Sequence, residues 1–270
     1  DISTDLLKFG LSEKQFVTHS ELMMDDADCC LISYQKSGRT WLRTMIGRYY
    51  QLVEKLEEKD ILKITESGAF FTSSRPNMPN IVAHHDDNAH RKRANDLSRD
   101  KRYYKDKKVI FLCRDPRDVV VSNFYHMKYR AKSYNRKISD FVHQYFRGII
   151  EFYNIWASQE TKAKYILKYE TLKNNTSQSL RKVIQFIDSN YPIFNDNIDN
   201  AVDYCSLANM KSYENTNKFN TDILKKKSDD PRGAKVRSGK IGSYREELGK
   251  DLIEECNVIM NKYLAPIFGY

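Results

Sequence analysis

The segment from residue 34 to residue 41, Tyr-Gln-Lys-Ser-Gly-Arg-Thr-Trp, has the residue types and spacing of an anion-binding loop. It follows the apolar run 29–33 and opens an amphipathic stretch, so the pattern predicts a strand, a loop and a helix. Such a loop points backbone N–H groups and the positive end of a helix dipole at a bound anion, and Lys36, Ser37 and Thr40 add side-chain donors. The sequence therefore predicts a site for a phosphate or sulfate group.

The loop does not fit the Walker A pattern, which requires Gly, four residues and then Gly-Lys-Ser/Thr. Here Lys36 precedes Ser37, and the only glycine of the loop, Gly38, follows both. An ATPase or kinase is therefore less favoured. Trp41, just after the phosphate donors, can lay its indole face against a purine. An ordinary helix N-terminus with a buried tryptophan is the alternative at this point.

A second polar cluster begins where the apolar run 109–113 ends. Arg114 would lie at the tip of that strand, and Asp115 followed by Pro116 is a helix-start signal, an N-cap residue with proline at the first helical position. Ser122 would lie about two turns into the helix. We expect Arg114 and Ser122 to face the same cleft as Lys36.

Apolar runs rich in β-branched residues alternate with segments of helical periodicity. The predicted strands are 29–33, 81–83, 109–113 and 165–167, and the predicted helices are 40–59, 116–129, 138–158, 177–188, 197–207 and 245–263. This alternation predicts an α/β fold, one domain over residues 1–270, in which helices flank a mostly parallel central sheet and ligands bind at the carboxyl ends of the strands. Residues 211–242 are polar and lack periodicity, so we predict a mobile lid there.

The charge balance favours anionic ligands, because 45 Lys and Arg residues stand against 36 Asp and Glu residues, a formal net charge of +9. The five cysteines have neither zinc-site nor CxxC spacing, which predicts reduced thiols in a cytoplasmic protein. No apolar run approaches the roughly 18 residues of a membrane span, so we expect no membrane association. A monomer and a homodimer both stay open.

These motifs together resemble the cytosolic-type sulfotransferase family, whose donor is 3′-phosphoadenosine 5′-phosphosulfate (PAPS) and whose nucleotide product is 3′-phosphoadenosine 5′-phosphate (PAP). The family's Tyr-Pro-Lys-Ser-Gly-Thr-Thr-Trp loop and Arg-x-Pro-x-Asp…Ser segment are similar to residues 34–41 and 114–122. Its late Arg-Lys-Gly-x-x-Gly-x-Trp motif is similar to residues 237–244, Arg-Ser-Gly-Lys-Ile-Gly-Ser-Tyr. The resemblance implies a PAPS-dependent sulfotransferase with a P-loop-like phosphosulfate loop and no metal ion.

The resemblance also implies a role for each matching residue. Lys36 would contact the bridging oxygen of the donor and stabilise the charge that develops on the leaving phosphate. The 5′-phosphosulfate would be held by Lys36, Ser37, Gly38, Arg39 and Thr40. The adenine would contact Trp41 and Tyr169. The 3′-phosphate would be bound by Arg114, Ser122, Arg237, Ser238 and Gly239.

Transfer to a hydroxyl needs a base for the acceptor's proton, and histidine suits this near neutral pH. The family's base is a histidine at the end of the strand that precedes the 3′-phosphate motif, where this chain has His84 and His85. Strand alternation sends the two side chains to opposite faces, so only one should enter the cleft. We favour His85, with His84 as the alternative, and a packed histidine is the ordinary explanation for either one alone.

Several positions depart from the family pattern. Gln35 replaces the loop proline and Arg39 a threonine, which adds a positive charge beside the phosphosulfate. Ser238 replaces a lysine that would contact the 3′-phosphate, and Tyr244 replaces a tryptophan. Residues 204–207 stand where the family has Thr-Ser-Phe around the adenine, so contacts from the residues there, Cys205 and Leu207, are doubtful.

The polar stretches 86–88 and 123–126 indicate the polarity of the acceptor. Asp86 and Asp87 next to the base would favour a small polar or cationic acceptor of natural-product type over a flat phenol. Sulfation of an amine or carbamoyl nitrogen is an alternative to hydroxyl sulfation.

Two further functions belong to other classes. A metal-dependent nucleotide phosphotransferase would need acidic magnesium ligands beside the loop, and only Asp86 and Asp87 qualify. A non-enzymatic nucleic-acid binder would use basic tracts such as 91–93 and 225–227, but no nucleic-acid-binding motif accompanies them. We therefore predict a small-molecule acceptor and no nucleic-acid partner.

Overall fold

Four strands form one parallel sheet in the computed structural model, which describes residues 26–66, 75 and 77–270. The strands are β1 (Cys29–Ser33), β2 (Ile81–His84), β3 (Lys108–Cys113) and β4 (Ala163–Lys168), in the order β2-β1-β3-β4. Every pairing is parallel, so the carboxyl ends of all four strands meet at one end of the sheet. The predicted α/β architecture with a parallel central sheet is confirmed.

Both faces of the sheet are covered, which explains why the strands read as continuous apolar runs. Successive residues of a strand point to opposite faces. Cys29 and Leu31 pack into one core, with Tyr49 of the first helix, and Cys30 and Ile32 pack into the other. The flanking helices therefore hold the strand ends in fixed positions.

The helices follow the order that the periodicity predicts. They are α1 (Arg39–Val53), α2 (Pro116–Tyr125), α3 (Ile138–Ser158), α4 (Tyr169–Asn174), α5 (Thr176–Ile187), α6 (Asn195–Tyr204), α7 (Leu207–Thr216), α8 (Tyr244–Glu247) and α9 (Lys250–Tyr263). A π-helical turn, His126–Arg130, continues α2. Short 3-10 turns occupy Glu58–Asp60, Lys63–Thr65, Asp86–Arg91, Ala94–Asp96, Arg102–Tyr104, Pro231–Gly233 and Pro266–Phe268.

Two helices are shorter than predicted. Helix α1 ends at Val53 rather than at residue 59, because Lys55 adopts a left-handed conformation with φ of 53° that the helix cannot accommodate. The last predicted helix is divided into α8 and α9. Its interruption is extended backbone at Leu248 and Gly249.

Helix α7 covers residues that the sequence assigned to the end of α6 and the start of an irregular segment. Ser206 caps α7, since its Oγ accepts from Asn209 N at 3.3 Å. The helix buries three of its own side chains against the rest of the protein: Met210, Tyr213 and Glu214. The helix escaped prediction because one of its inward residues is a carboxylate, which breaks the apolar pattern. Mobility of the later residues, 217–242, stays a prediction.

All five cysteines are buried and unpaired. Cys29 and Cys113 lie within β1 and β3, as their apolar neighbours predict. Among the described residues, no helix is both long and apolar enough to cross a membrane.

Candidate active site

The loop between β1 and α1 has the backbone geometry of an anion-binding turn. Lys36 has a φ of 74° and Gly38 a φ of 97°, whereas the residues beside them have negative φ, so the sign of φ alternates along the loop. Such alternation turns successive N–H groups toward one point. Gly38 is the N-cap of α1, which leaves the first N–H groups of the helix without a side-chain cap. A bound phosphate would accept hydrogen bonds from these groups.

Gly38 also permits a close contact with Tyr169. A Cβ atom at position 38 would stand 2.6 Å from Tyr169 Cδ2, so any side chain there would displace the ring. The Tyr169 ring is edge-on to Trp41, with centroids 5.9 Å apart, and Arg114 Cζ lies 4.6 Å from its centroid. The glycine therefore brings the loop against the Tyr169 ring, which in turn contacts Trp41.

Arg114 begins the loop after β3, and its guanidinium keeps a donor for a ligand. Its Nη2 donates to Asp118 Oδ2 at 3.2 Å and to the carbonyl oxygen of Lys240 at 2.7 Å. Its Nε is buried without a partner in the part of the chain that the structure describes. A buried donor of this kind fits an anionic ligand such as the 3′-phosphate. Asp115 caps α2 by accepting from Arg117 N, and Pro116 follows it, as predicted.

Two buried carboxylates hold the segment that precedes α8. Asp118 accepts from Gly242 N at 2.8 Å, Ser243 Oγ at 2.9 Å and Tyr244 N at 3.0 Å. Glu214 of α7 accepts from the backbone N–H groups of residues 235 and 236 and forms an ion pair with Arg130 at 2.9 Å. The residues between these two anchors include Arg237, Ser238 and Gly239. Their position therefore depends on carboxylates from other segments of the chain.

These elements enclose a cavity of about 440 Å³ at the carboxyl ends of the strands. Its size suits a nucleotide-sized ligand. The predicted residues that line it are Lys36, Gly38, Arg39, Thr40, Trp41, His85, Arg114, Ser122, Tyr169, Arg237, Ser238 and Gly239. Ser37 does not line the cavity; it is fully buried within the loop.

The two adjacent histidines have separate environments. His85 lines the cavity, and its Nδ1 lies 3.0 Å from the carbonyl oxygen of Ser33. Because a carbonyl only accepts, Nδ1 carries the proton and Nε2 keeps its lone pair. Burial, and then the charge of Arg39, lower the pKa of His85 well below its usual value, so the ring is neutral. His84 instead stacks on Tyr104, with its Nε2 3.3 Å from the tyrosine hydroxyl.

Lys36 lies in a desolvated, cationic environment. Burial lowers the pKa of Lys36 to about 7, and the charge of Arg130 contributes in the same direction, while Glu214 opposes it. An anionic ligand would restore the protonated form of this lysine. Burial and the charge of Lys36 likewise lower the pKa of Lys235.

The end of the cavity near Trp41 is partly apolar. Trp41 Nε1 donates to the carbonyl oxygen of Cys205 at 2.8 Å, which fixes the plane of the indole. Cys205 and Leu207, doubtful from the sequence, both line the cavity, together with Met210. This end offers the surfaces on which a purine would stack.

Asp86 and Asp87 do not line the cavity, which corrects the expectation that they face the acceptor. Asp86 is buried, forms an ion pair with Lys101 at 2.6 Å and accepts from the Tyr104 hydroxyl. Asp87 forms an ion pair with Lys92. Both residues lie on the 3-10 turn that follows β2, and basic residues later in the chain neutralise them.

Three basic lining residues were not predicted as site residues: Lys173, Lys235 and His126. Lys235 stands two residues before Arg237, and His126 one helical turn after Ser122. That spacing from motif residues is the signal that could have found them. Lys173 carried no such signal.

Comparisons with known proteins agree with this geometry. The profile of the family described as "Sulfotransferase domain" matches residues 26–267. Cytosolic sulfotransferase 7 of Arabidopsis thaliana is 23% identical over 269 residues, which cover 87% of this chain and 78% of that protein.

Two solved structures share the fold. The structure of mouse sulfotransferase SULT7A1 complexed with PAP has a TM-score of 0.60 at 17% identity, over 90% of this chain and 88% of that chain. The structure of retinol dehydratase in complex with androsterone and the inactive cofactor PAP has a TM-score of 0.59 at 18% identity, over 87% of this chain and 80% of that chain.

The family match runs from before β1 to beyond α9 and so includes each strand-end motif. It confirms the resemblance drawn from residues 34–41 and 114–122, and with it the prediction of an enzyme. The chain belongs to the sulfotransferase domain family.

Proposed function

We propose that the protein transfers a sulfuryl group from PAPS to a hydroxyl group of a small acceptor. One observation carries the proposal: Lys36, Arg114 and His85, from three different strand ends, line the same cavity. The unpartnered Arg114 Nε and the uncapped first turn of α1 fit two separate anionic groups, as PAPS has. The relatives' structures with PAP support the same donor.

The chain's residues can perform the transfer by in-line displacement. PAPS supplies the sulfuryl group when bound. His85 Nε2 accepts the proton of the acceptor hydroxyl as the new oxygen–sulfur bond forms. Lys36 stabilises the negative charge that remains on the phosphate oxygen as the old sulfur–oxygen bond breaks. Ser122 and Arg114 hold the 3′-phosphate and so keep the donor aligned.

The acceptor is a small polar molecule on this proposal. The case for a cationic acceptor depended on Asp86 and Asp87, which form ion pairs with Lys101 and Lys92 instead. Relatives are named cytosolic sulfotransferases, and five unpaired cysteines suit the same reducing compartment, so we propose a cytoplasmic location.

Calorimetric titration with PAP, without added metal, tests the donor site. We expect tight binding of PAP, much weaker binding of adenosine 5′-monophosphate, which lacks the 3′-phosphate, and none of ATP. Arg114→Lys should weaken PAP and leave the monophosphate unchanged, because a planar guanidinium binds a phosphate with two parallel hydrogen bonds. Equal binding of PAP and the monophosphate would contradict the assignment of Arg114.

A second measurement tests the transfer itself. Sulfated product and PAP should appear together when PAPS is supplied with an acceptor mixture. Binding of PAP without any PAPS turnover would leave a nucleotide-binding protein and contradict the enzymatic function.

A further inference from the structure

The cations that line the cavity differ in whether they have partners. Arg114 is paired with Asp118 at 3.2 Å and Arg237 with Glu247 at 2.8 Å. Lys36, Arg39 and Lys235 also line the cavity, but none of these side chains forms an ion pair or hydrogen bond within residues 26–66, 75 and 77–270. On the proposed function the donor phosphate compensates Lys36, which leaves Arg39 and Lys235. Arg39 Nη1 is buried with no partner there. An unpaired charge in a desolvated cavity is costly, and a ligand of opposite charge removes that cost.

The charges of Arg39 and Lys235 influence the proposed base. Burial lowers the pKa of His85, and the charges of Arg39 and Lys235 lower it further. The charge of Lys235 also contributes to lowering the pKa of His126. Tyr169 and Lys173 lie at the other end of the cavity. Burial shifts the pKa of each, and the largest contribution of any charge comes from Arg114. Arg39 and Lys235 line the same cavity as His85, where on the proposed function the acceptor places its hydroxyl group.

No carboxylate of the described residues offsets these charges inside the cavity. Asp203 is the one acidic residue among the described lining residues, and it lies on the exposed side next to Cys205 and Ser206, at the aromatic end. Burial lowers the pKa of Arg39, and the charge of Arg43 lowers it further. Glu66, which does not line the cavity, raises this pKa by less than Arg43 lowers it. The acceptor end thus combines two unpaired cations with neutral histidines.

We propose that the acceptor carries an anionic group, a carboxylate, phosphate or sulfate, besides the group that is sulfated, and that Arg39 and Lys235 bind this anion. This inference rests on the proposed function, since it names the acceptor class of the same site. It replaces the cationic acceptor that the sequence suggested. The anion would accept from Arg39 Nη1 and from the Lys235 ammonium while the hydroxyl group contacts His85.

Three phenols with the same hydroxyl group and different side-chain charge test the proposal: 4-hydroxyphenylacetate, 4-hydroxyphenylethanol and tyramine. Each is titrated calorimetrically into the PAP-saturated protein. We expect 4-hydroxyphenylacetate to bind at least about 10-fold more tightly than the neutral and cationic compounds, the scale of one hydrogen bond to a charged group. Equal affinities, preference for tyramine, or no binding of the acetate at millimolar concentration would overturn the proposal.

Charge-removing variants locate the preference. Arg39→Thr restores the residue that the family pattern has, and Lys235→Met keeps the length of the side chain. At saturating PAP, each should reduce the preference for the acetate several-fold, whatever its effect on PAP affinity, whereas Lys250→Met, at an exposed position of α9, should leave both the preference and the PAP affinity unchanged. A preference that survives in both cavity variants would overturn the assignment. If PAP itself does not bind the unaltered protein, the proposed function fails first, and this inference with it.

Discussion

The two ends of the cavity differ in how their charges are compensated. At the donor end, Arg114 and Arg237 already have carboxylate partners, and Asp118 also holds the backbone around Gly242. At the end that we propose binds the acceptor, Arg39 and Lys235 have none among the described residues. The two guanidinium groups that we propose for the donor end are therefore positioned by the protein, whereas Arg39 and Lys235, like Lys36, depend on a ligand for charge balance.

The difference shows how one cavity can bind a nucleotide and still discriminate between acceptors. Carboxylates that position the guanidinium groups of Arg114 and Arg237 reduce the ordering cost of donor binding. On our proposal, the unpaired cations Arg39 and Lys235 instead strengthen the binding of anionic acceptors and weaken that of cationic ones. Variants at each end should consequently affect different steps of the reaction.

Replacing the proposed base should produce the largest change confined to the acceptor end. We expect His85→Ala to lower kcat by about 10²- to 10⁴-fold, the usual contribution of a general base, and to leave the PAP dissociation constant nearly unchanged. Steady-state kinetics with PAPS and calorimetry with PAP measure the two effects. His84→Ala is the matched control, since His84 packs on Tyr104 outside the cavity. Near-normal turnover by His85→Ala, with loss in His84→Ala, would move the base to His84.

Lys36 should connect the two ends, because on the proposed mechanism it contacts the donor at the bond that breaks. Lys36→Ala should reduce kcat about 10²- to 10³-fold and weaken PAP as well, since the variant loses both a cation and the stabilisation of the leaving phosphate. The same pair of measurements applies. An effect on kcat alone would mean that Lys36 does not contact the bound nucleotide.

The buried anchor at the donor end should matter for PAP but not for acceptor preference. Asp118→Asn removes an acceptor of four hydrogen bonds, from Arg114, Gly242, Ser243 and Tyr244. We expect PAP binding to weaken about 10-fold or more, because Arg114 loses its charged partner and the segment before α8 loses its anchor. Calorimetry measures the loss, with the exposed Glu246→Gln as the control. Unchanged PAP affinity would show that the anchor is not needed for the donor end.

The lowered pKa of Lys36 predicts that PAP binding depends on pH. In the free protein Lys36 releases its proton as the pH rises through about 7, whereas bound phosphate favours the protonated form. Binding above that pH must therefore take up a proton, and affinity should fall by up to about tenfold per pH unit, the limit for one proton. Titrations across this range, in buffers of different ionisation enthalpy, measure the uptake. Lys36→Met should lack the dependence, and an unaltered slope in that variant would assign the proton to another group.

Restoring a family lysine should produce the smallest effect. Ser238 lines the cavity, and its Oγ accepts from the backbone N–H of Lys240 at 3.3 Å. Ser238→Lys would add a cation to the 3′-phosphate end, and we expect PAP to bind a few-fold more tightly, with a gain that fades in high salt. Calorimetry at two salt concentrations tests this. A tighter binding of adenosine 5′-monophosphate by the same factor would show that the new cation does not contact the 3′-phosphate.

Most of the fold could be predicted because its signals are local. Buried parallel strands require continuous apolar runs, and those runs predicted each of the four strands to within three residues at either end. Helix α3 begins and ends where periodicity places it, at Ile138 and Ser158. Helix α7 escaped because the buried Glu214 is compensated by Arg130, a residue 84 positions away, which no local pattern contains.

The choice between His84 and His85 shows the same division within the site. Alternation along β2 predicts that the two rings separate, but not which of them faces the cavity. That depends on the partner of each ring. His85 lies against the carbonyl oxygen of Ser33 on the neighbouring strand, and His84 lies against the hydroxyl group of Tyr104. Asp86 and Asp87 were misread for a related reason, since Lys101 and Lys92 neutralise them through loop contacts.

By itself the sequence determined the strands, the loop at 34–41 and the capped helix start at 114–122, for which we propose phosphate binding, because each depends on residues close together in the chain. Only the tertiary structure decided which charges have partners. Glu214 and Asp118 position the segment that carries Arg237, while Arg39 and Lys235 stay without carboxylates in the described chain. Coulomb interactions depend on distance in space rather than in sequence, so the character of the acceptor end appears only when the segments are folded together.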